Sequence, residues 1–115
     1  MSLRKHSKRF DFTDNGWCEG GSNCRIMKSP NCDSRPKGAT IDLLVLHNIS
    51  LPEGIFEGEE IENLFLNKLD TSKTIFKPLL NLKVSSHFLI KRAGSLVQFV
   101  SLRDRAWHAG ESSFL

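Results

Sequence analysis

Histidine and cysteine are the residues of this 115-residue chain that are best suited to bind a metal ion. The chain has four histidines and three cysteines: His6, His47, His87, His108, Cys18, Cys24 and Cys32. His47 follows the apolar run IDLLVL at 41–46, and His108 lies in the sequence AWHAG. Neutral imidazole is a favoured zinc ligand, so both are candidate ligands. Each could equally be a hydrogen-bonded histidine that binds no metal.

The remaining histidines and the cysteines give weaker evidence of a metal site. His6 lies in a basic lead, and the pattern of residues 84–90 places His87 in the middle of a strand. The cysteine spacing matches no common zinc pattern, although a structural zinc completed by His6 is conceivable. No secretory signal precedes the cysteines, which predicts a cytoplasmic protein with three ordinary thiols.

Composition and charge narrow the class of protein. Hydrophobic residues make up 39% and charged residues 25% of the chain, as in ordinary soluble domains, and no run of about 18 apolar residues predicts a membrane span. Residues 1–10 carry four basic residues and no acidic ones, whereas the rest has 12 basic and 13 acidic residues. The net charge of +3 therefore belongs to the lead, which argues against nucleic acid as a partner.

The pattern of residues predicts one α/β domain behind a disordered lead at 1–15. We expect irregular structure at 16–39, pinned by Trp17 and Ile26, because turn formers are frequent there. The continuous apolar run at 41–46 predicts a strand covered on both faces.

The second half of the chain contains the clearest local signals. Apolar residues at helical spacing predict a helix at 59–69, with acidic residues near its amino end. VSSHFLI at 84–90 and SLVQFV at 95–100 flank the glycine-containing KRAG, which predicts a β-hairpin. No nucleophile elbow, phosphate-binding glycine loop or His-Glu-x-x-His motif is present.

Five motifs in order resemble the zinc N-acetylmuramoyl-L-alanine amidase family, which includes peptidoglycan-recognition proteins. They are GWCEGG, SPNCDSRPKG, IDLLVLHNISLPEGIFEG, LKVSSHFLIKRAGSLVQFV and RAWHAGESSF. The resemblance covers residues 16–114 and implies a mixed central β-sheet flanked by helices. It also implies hydrolysis of the amide between N-acetylmuramic acid and L-alanine in anhydromuropeptides, fragments of peptidoglycan.

The resemblance assigns roles to six residues of this chain. It implies that His47 is a Zn²⁺ ligand and that Asn48, Lys83, Trp107 and His108 contact the substrate. His87 matches a regular family feature that we interpret as supporting or structural.

The same resemblance predicts an incomplete site. In the family, the other zinc ligands and the catalytic carboxylate follow the WHAG motif at a distance that this chain does not reach. We therefore expect a C-terminally truncated amidase with no catalytic residue of its own, or, as the alternative, a non-catalytic muropeptide-binding module.

Overall fold

The computed structural model describes residues 11–19, 23–47, 49, 58–72 and 74–108. These residues form five short strands, one α-helix and one 3-10 helix. In chain order they are β1 (Cys24–Ile26), β2 (Cys32–Ser34), α1 (Glu60–Phe65), the 3-10 helix Thr74–Leu79, β3 (Phe88–Ile90), β4 (Leu96–Gln98) and β5 (Asp104–Ala106). No helix among the described residues is long and apolar enough to cross a membrane.

A three-stranded mixed sheet has β4 at its centre. β3 pairs antiparallel with β4 and β1 pairs parallel with it, in the order β1-β4-β3. The predicted hairpin is confirmed, with Phe88 opposite Gln98 and Ile90 opposite Leu96. Its first strand begins at Phe88 and not at residue 84, so the prediction that His87 lies in the middle of a strand is wrong. Its turn contains Gly94 at φ +95°, a backbone conformation that glycine adopts without steric cost.

β2 and β5 form a separate antiparallel ribbon. The Arg105 guanidinium donates through Nε to Asp33 Oδ1 at 2.7 Å and through a terminal nitrogen to Asp33 Oδ2 across this ribbon. The prediction of irregular structure throughout 16–39 is therefore wrong at β1 and β2, because three-residue strands are too short to show an alternating pattern. Ile26 is exposed and does not pin the segment, while Trp17 packs beneath the Lys28 ammonium.

The core lies between α1, the hairpin and the end of β5. Its buried residues are Leu64, Phe65, Val84, Val97, Phe99, Val100 and Ala106. The Phe65 and Phe99 rings meet edge to face with centroids 5.0 Å apart, a favoured geometry for aromatic pairs. The predicted helix is confirmed but ends at Phe65. Glu62, one of the acidic residues near the amino end of the helix, is buried and pairs with Lys91 Nζ at 2.6 Å.

The prediction of a buried strand at 41–46 is wrong. The segment has no strand conformation, and its side chains are exposed, with Leu44 and Leu46 at 82% and 80%. A buried strand requires paired neighbours at both edges and covering layers on both faces. None of the described residues supplies such a neighbour for 41–46. The apolar composition of 41–46 suits a strand that is paired and covered, and the described residues neither pair with it nor cover it.

The lead is structured closer to the amino end than the sequence predicts. Phe12 forms a β-bridge with Cys18 and its ring meets the Phe88 ring edge to face at 6.0 Å. The backbone carbonyl of Asn15 accepts a hydrogen bond from the Ser101 hydroxyl. Residues 11–15 are therefore tied to the hairpin, and residues 1–10 lie outside the described residues.

Cys18 and Cys24 form a disulfide, so the prediction of three ordinary thiols is wrong. Both cysteines are held against β4: Cys24 pairs with Leu96, and the Cys18 amide donates to Gln98 Oε1 at 2.7 Å. Their Cα atoms lie 6.7 Å apart, within the range that a disulfide can bridge. The two attachments to one strand could not be read from the cysteine spacing.

Cys32 is the free cysteine of the described residues, and we expect it to react slowly. Burial raises the pKa of its thiol, and the nearby Asp104 and Asp33 carboxylates raise the pKa further. Because the thiolate is the nucleophile, alkylation at pH 7.5 should be slower in the folded chain than in urea. Thiol titration of the unreduced chain in urea should find one thiol, and three after reduction; three before reduction would contradict the disulfide.

Candidate functional site

Three histidines converge at the side of the molecule where the hairpin meets β5. The ring of His108 lies near both of the others, 5.4 Å from the His47 ring and 6.3 Å from the His87 ring, centroid to centroid. His47 and His108 meet nearly edge to face, at 83°. The structure therefore brings together the histidine that follows the apolar run and the histidine of the AWHAG sequence, as two candidate ligands of one site would require.

His87 is the anchored member of the group. Its Nε2 lies 2.9 Å from the carbonyl oxygen of Asp104, which can only accept, so Nε2 carries the proton and donates. The Arg35 guanidinium lies 3.3 Å from the same nitrogen and cannot also donate to it. Desolvation lowers the pKa of His87, although the bond to the Asp104 carbonyl opposes this shift. This arrangement agrees with a structural role for His87.

His108 is half-buried in a setting that favours its neutral form. Desolvation lowers the pKa of His108, and the neighbouring His47 and His87 rings lower it further. Its Nδ1 atom is buried and has no hydrogen-bond partner in the described part of the chain. A neutral imidazole with an unpaired nitrogen can accept a hydrogen bond or bind a metal ion.

Ser85 joins the Lys83 segment to the Trp107 segment. The Ser85 amide donates to the Trp107 carbonyl at 2.6 Å, and the Trp107 amide donates back to Ser85 Oγ at 3.2 Å. Ser85 is buried and its hydroxyl also donates to the Asn31 carbonyl at 2.6 Å. These bonds place an exposed lysine and a half-buried tryptophan on adjacent segments, a combination that suits a polar ligand with a negative charge.

Ser85 and Asn31 are the positioning residues that sequence reasoning missed. The pattern at 84–90 predicts a strand that includes Ser85, although β3 begins at Phe88, and nothing local distinguishes Ser85 from the neighbouring Ser86. Of the six residues given roles, five are described: His47, Lys83, His87, Trp107 and His108. Asn48 lies outside the described residues. The individual roles of all six remain predictions.

The described residues do not complete a catalytic zinc site. They contain no group of three or more histidine, cysteine, aspartate or glutamate side chains placed to hold one metal ion. A catalytic zinc ion takes about three protein ligands and keeps one position open for water. Among the described residues, His47 and the neighbouring His108 are the two candidate ligands whose rings are in contact.

Comparison with known proteins identifies relatives of the chain. The profile of the family described as N-acetylmuramoyl-L-alanine amidase matches residues 37–114. The 1,6-anhydro-N-acetylmuramyl-L-alanine amidase AmpD of Haemophilus influenzae is 44% identical over 94 residues, which are 81% of this chain and 51% of that protein. The AmpD of Escherichia coli K12 is 44% identical over 102 residues, covering 88% and 54% respectively.

Solved structures of AmpD proteins are similar in fold to this chain. A crystal structure of a selenomethionine AmpD derivative superposes with a TM-score of 0.77 at 43% identity, covering 90% of this chain and 57% of that one. The solution structure of Citrobacter freundii AmpD gives a TM-score of 0.52 at the same identity. The predicted α/β class with a mixed sheet is thereby confirmed. The chain spans about half the length of the curated relatives that it matches.

Proposed function

Because this chain belongs to the N-acetylmuramoyl-L-alanine amidase family, we propose that it supplies the His47-containing half of a zinc amidase site. The bond to be hydrolysed is the amide between the lactyl group of N-acetylmuramic acid and L-alanine in an anhydromuropeptide. One observation supports this beyond the family match: three separate motifs meet, through the His47–His108 contact and the Ser85–Trp107 hydrogen bonds. A role in peptidoglycan recycling and a cytoplasmic location are parts of the same proposal.

Lys83 and Trp107 are suited to hold the substrate. Lys83 is exposed and forms no ion pair with any described residue, so its ammonium is free to meet a carboxylate of the stem peptide. Trp107 offers an apolar face against which a sugar ring can pack, while its backbone is fixed by Ser85. Ionic and stacking contacts of this kind orient a substrate.

Zinc is the metal generally used by this family, and its action on a bound amide is to polarise the carbonyl and to lower the pKa of bound water. His47 is the residue that we propose as its ligand in this chain. The described residues supply fewer than three ligands, so we assign them binding and orientation of the substrate and no step of the hydrolysis.

Activity assays on two proteins test the proposal. The 115-residue chain alone should release no peptide from anhydromuropeptide, with or without added zinc, because its described residues do not complete a site. A chimera in which the part of Haemophilus influenzae AmpD that follows its matched region is joined after Leu115 of this chain should hydrolyse the same substrate. A folded chimera that binds zinc and remains inactive on muropeptides would contradict the amidase proposal.

A second candidate is a muropeptide-binding module without catalysis. The observation that favours it is that Lys83 and Trp107 are positioned by described residues, whereas three metal ligands are not. This candidate predicts saturable binding of anhydromuropeptide by the 115-residue chain, unaffected by chelator. Trp107→Ala should weaken the binding by about tenfold, equal to about 1.4 kcal/mol. Titration calorimetry that detects no binding at millimolar ligand would eliminate it.

A further inference from the structure

The antiparallel ribbon of β2 and β5 places Asp33 and Trp107 on one face. Asp33 lies opposite Arg105 in the register of the two strands, so their side chains point to the same side. Trp107 follows Arg105 by two positions, directly after the end of β5, and side chains two positions apart along a strand share a face. Ala106, between them, belongs to the core and so points the other way. The Asp33 carboxylate and the Trp107 indole therefore share the outer face of the ribbon.

The Trp107 side chain donates a hydrogen bond to the Asp33 carboxylate. The Arg105 guanidinium lowers the pKa of the Asp33 carboxyl, partial desolvation opposes this shift, and the hydrogen bond from the Trp107 side chain lowers the pKa further. Indole has a single donor, the Nε1–H group, so this group makes the bond. The backbone of Trp107 is held separately, by its two hydrogen bonds with Ser85. Backbone and ring of Trp107 are thus fixed by different residues.

The Asp33 carboxylate is itself held in one orientation by Arg105. The guanidinium donates through Nε to Oδ1 at 2.7 Å and through a terminal nitrogen to Oδ2. Two parallel bonds of this kind fix the plane of a carboxylate as well as its position. The two side chains are 57% exposed for Arg105 and 40% for Asp33, and exposed ion pairs add little to stability. The arrangement is suited instead to orienting a neighbouring side chain.

We infer that Asp33 is a positioning residue for Trp107: it fixes the plane of the indole against which a sugar ring of the ligand packs. An indole that is free to turn about its side-chain torsions loses that freedom when a ligand binds, and the loss weakens binding. Asp33 removes this loss by ordering the ring beforehand. It acts through Trp107 and is assigned no contact with the ligand. The effect on ligand affinity rests on the proposed function, whereas the orientation of the indole does not.

Exchange of the indole proton with water tests the hydrogen bond in the 115-residue chain. The two tryptophans give two indole N–H signals in a proton–nitrogen correlation spectrum, and the signal missing from Trp107→Phe is that of Trp107. Asp33→Ala should speed exchange of the Trp107 proton by about tenfold or more, as expected for the loss of a hydrogen bond to a charged group. Equal exchange rates in Asp33→Ala and the unaltered chain would overturn the positioning role.

Two further variants separate the hydrogen bond from the loss of a surface charge. Asp33→Asn removes the charge and keeps an acceptor oxygen, so its Trp107 indole proton should exchange more slowly than that of Asp33→Ala. Asp14→Ala removes a carboxylate from another exposed position and should leave the exchange rate unchanged. Faster exchange in Asp14→Ala, to the same extent as in Asp33→Ala, would assign the effect to charge in general and contradict the inference.

Titration calorimetry with anhydromuropeptide measures the consequence for binding. Asp33→Ala should weaken binding by about three- to tenfold, the cost of immobilising one side chain. Because Asp33 acts through the indole, the double variant Asp33→Ala, Trp107→Ala should bind as Trp107→Ala does. The melting temperature of Asp33→Ala should stay within about 4 °C of that of the unaltered chain, which excludes a general loss of structure.

The outcomes distinguish this inference from the proposed function. A double variant that binds more than about threefold more weakly than Trp107→Ala would show that Asp33 acts on the ligand by another route, and the positioning role would be wrong. If the unaltered chain binds no muropeptide while Asp33→Ala speeds exchange of the indole proton, the orientation of Trp107 by Asp33 is supported and the proposed binding of muropeptide is contradicted.

Discussion

Replacing Asn31 with leucine is expected to lower the free energy of unfolding by about 1–3 kcal/mol, because it leaves the carbonyl of the buried Val84 unpaired. Asn31 is 1% exposed. Its Nδ2 donates to the Val84 carbonyl and to Asn67 Oδ1, both at 2.8 Å, and lies 3.3 Å from the Phe65 carbonyl. Asn67 Nδ2 returns a bond to Asn31 Oδ1 at 3.0 Å.

The position of these partners explains why one amide matters so much. Phe65 is the last residue of α1, where carbonyl groups have no partner within the helix. Val84 belongs to the core and begins the segment that leads into β3. Asn31 therefore joins the loop before β2 to the end of the helix and to the start of the hairpin, and leucine can make none of these bonds.

Urea unfolding of the two chains measures the effect. The midpoint should fall while the slope with denaturant stays the same. Asn63→Ala is a matched control, because it removes the same amide from a helical position whose side chain forms no hydrogen bond with any described residue; its effect should be within about 0.5 kcal/mol. A loss below about 1 kcal/mol for Asn31→Leu would show that the network does not stabilise the fold as we describe.

Local signals in the sequence predicted local structure well. The hairpin has a glycine-containing turn between two apolar strands, and these features lie within 17 residues. The helix at Glu60–Phe65 places Leu64 and Phe65 in the core, as its spacing indicates, but it stops early. Asn67 follows at φ +61°, a conformation that ends helices and that asparagine tolerates.

Features that depend on distant partners could not be predicted in the same way. The apolar run at 41–46 has the composition of a buried strand, yet strands form by pairing, and the run has no partner among the described residues. The bonds of Asn31 reach 34 to 53 residues along the chain, and Gln98 holds the Gly16 carbonyl 82 residues away. An amide in a sequence carries no mark of such partners.

The candidate site could be predicted from the sequence only in part. The residue types predicted that His47 and His108 could be ligands, and the fold places their rings together. The sequence alone could not show that His108 has a nitrogen without a partner among the described residues while His87 donates to a backbone carbonyl, because both facts depend on the path of β5.

His47→Ala in the chimera with the Haemophilus influenzae AmpD segment is expected to lower kcat/KM for anhydromuropeptide by about a thousandfold or more. That loss equals about 4 kcal/mol of transition-state stabilisation, a reasonable value for removing one ligand from a three-ligand metal site. His47 is exposed and lies outside the core, so its removal should leave the melting temperature of the metal-free chimera within about 2 °C.

The zinc content of the purified variant should fall together with its activity, whereas Lys83→Ala should raise KM about tenfold and keep the metal. This difference separates a ligand from a residue that contacts the substrate. His6→Ala is the matched control for the loss of a histidine and should leave both kinetic constants unchanged. A His47→Ala chimera that keeps its zinc and more than about a tenth of its activity would show that the metal is held without this residue, and the role proposed for His47 would be wrong.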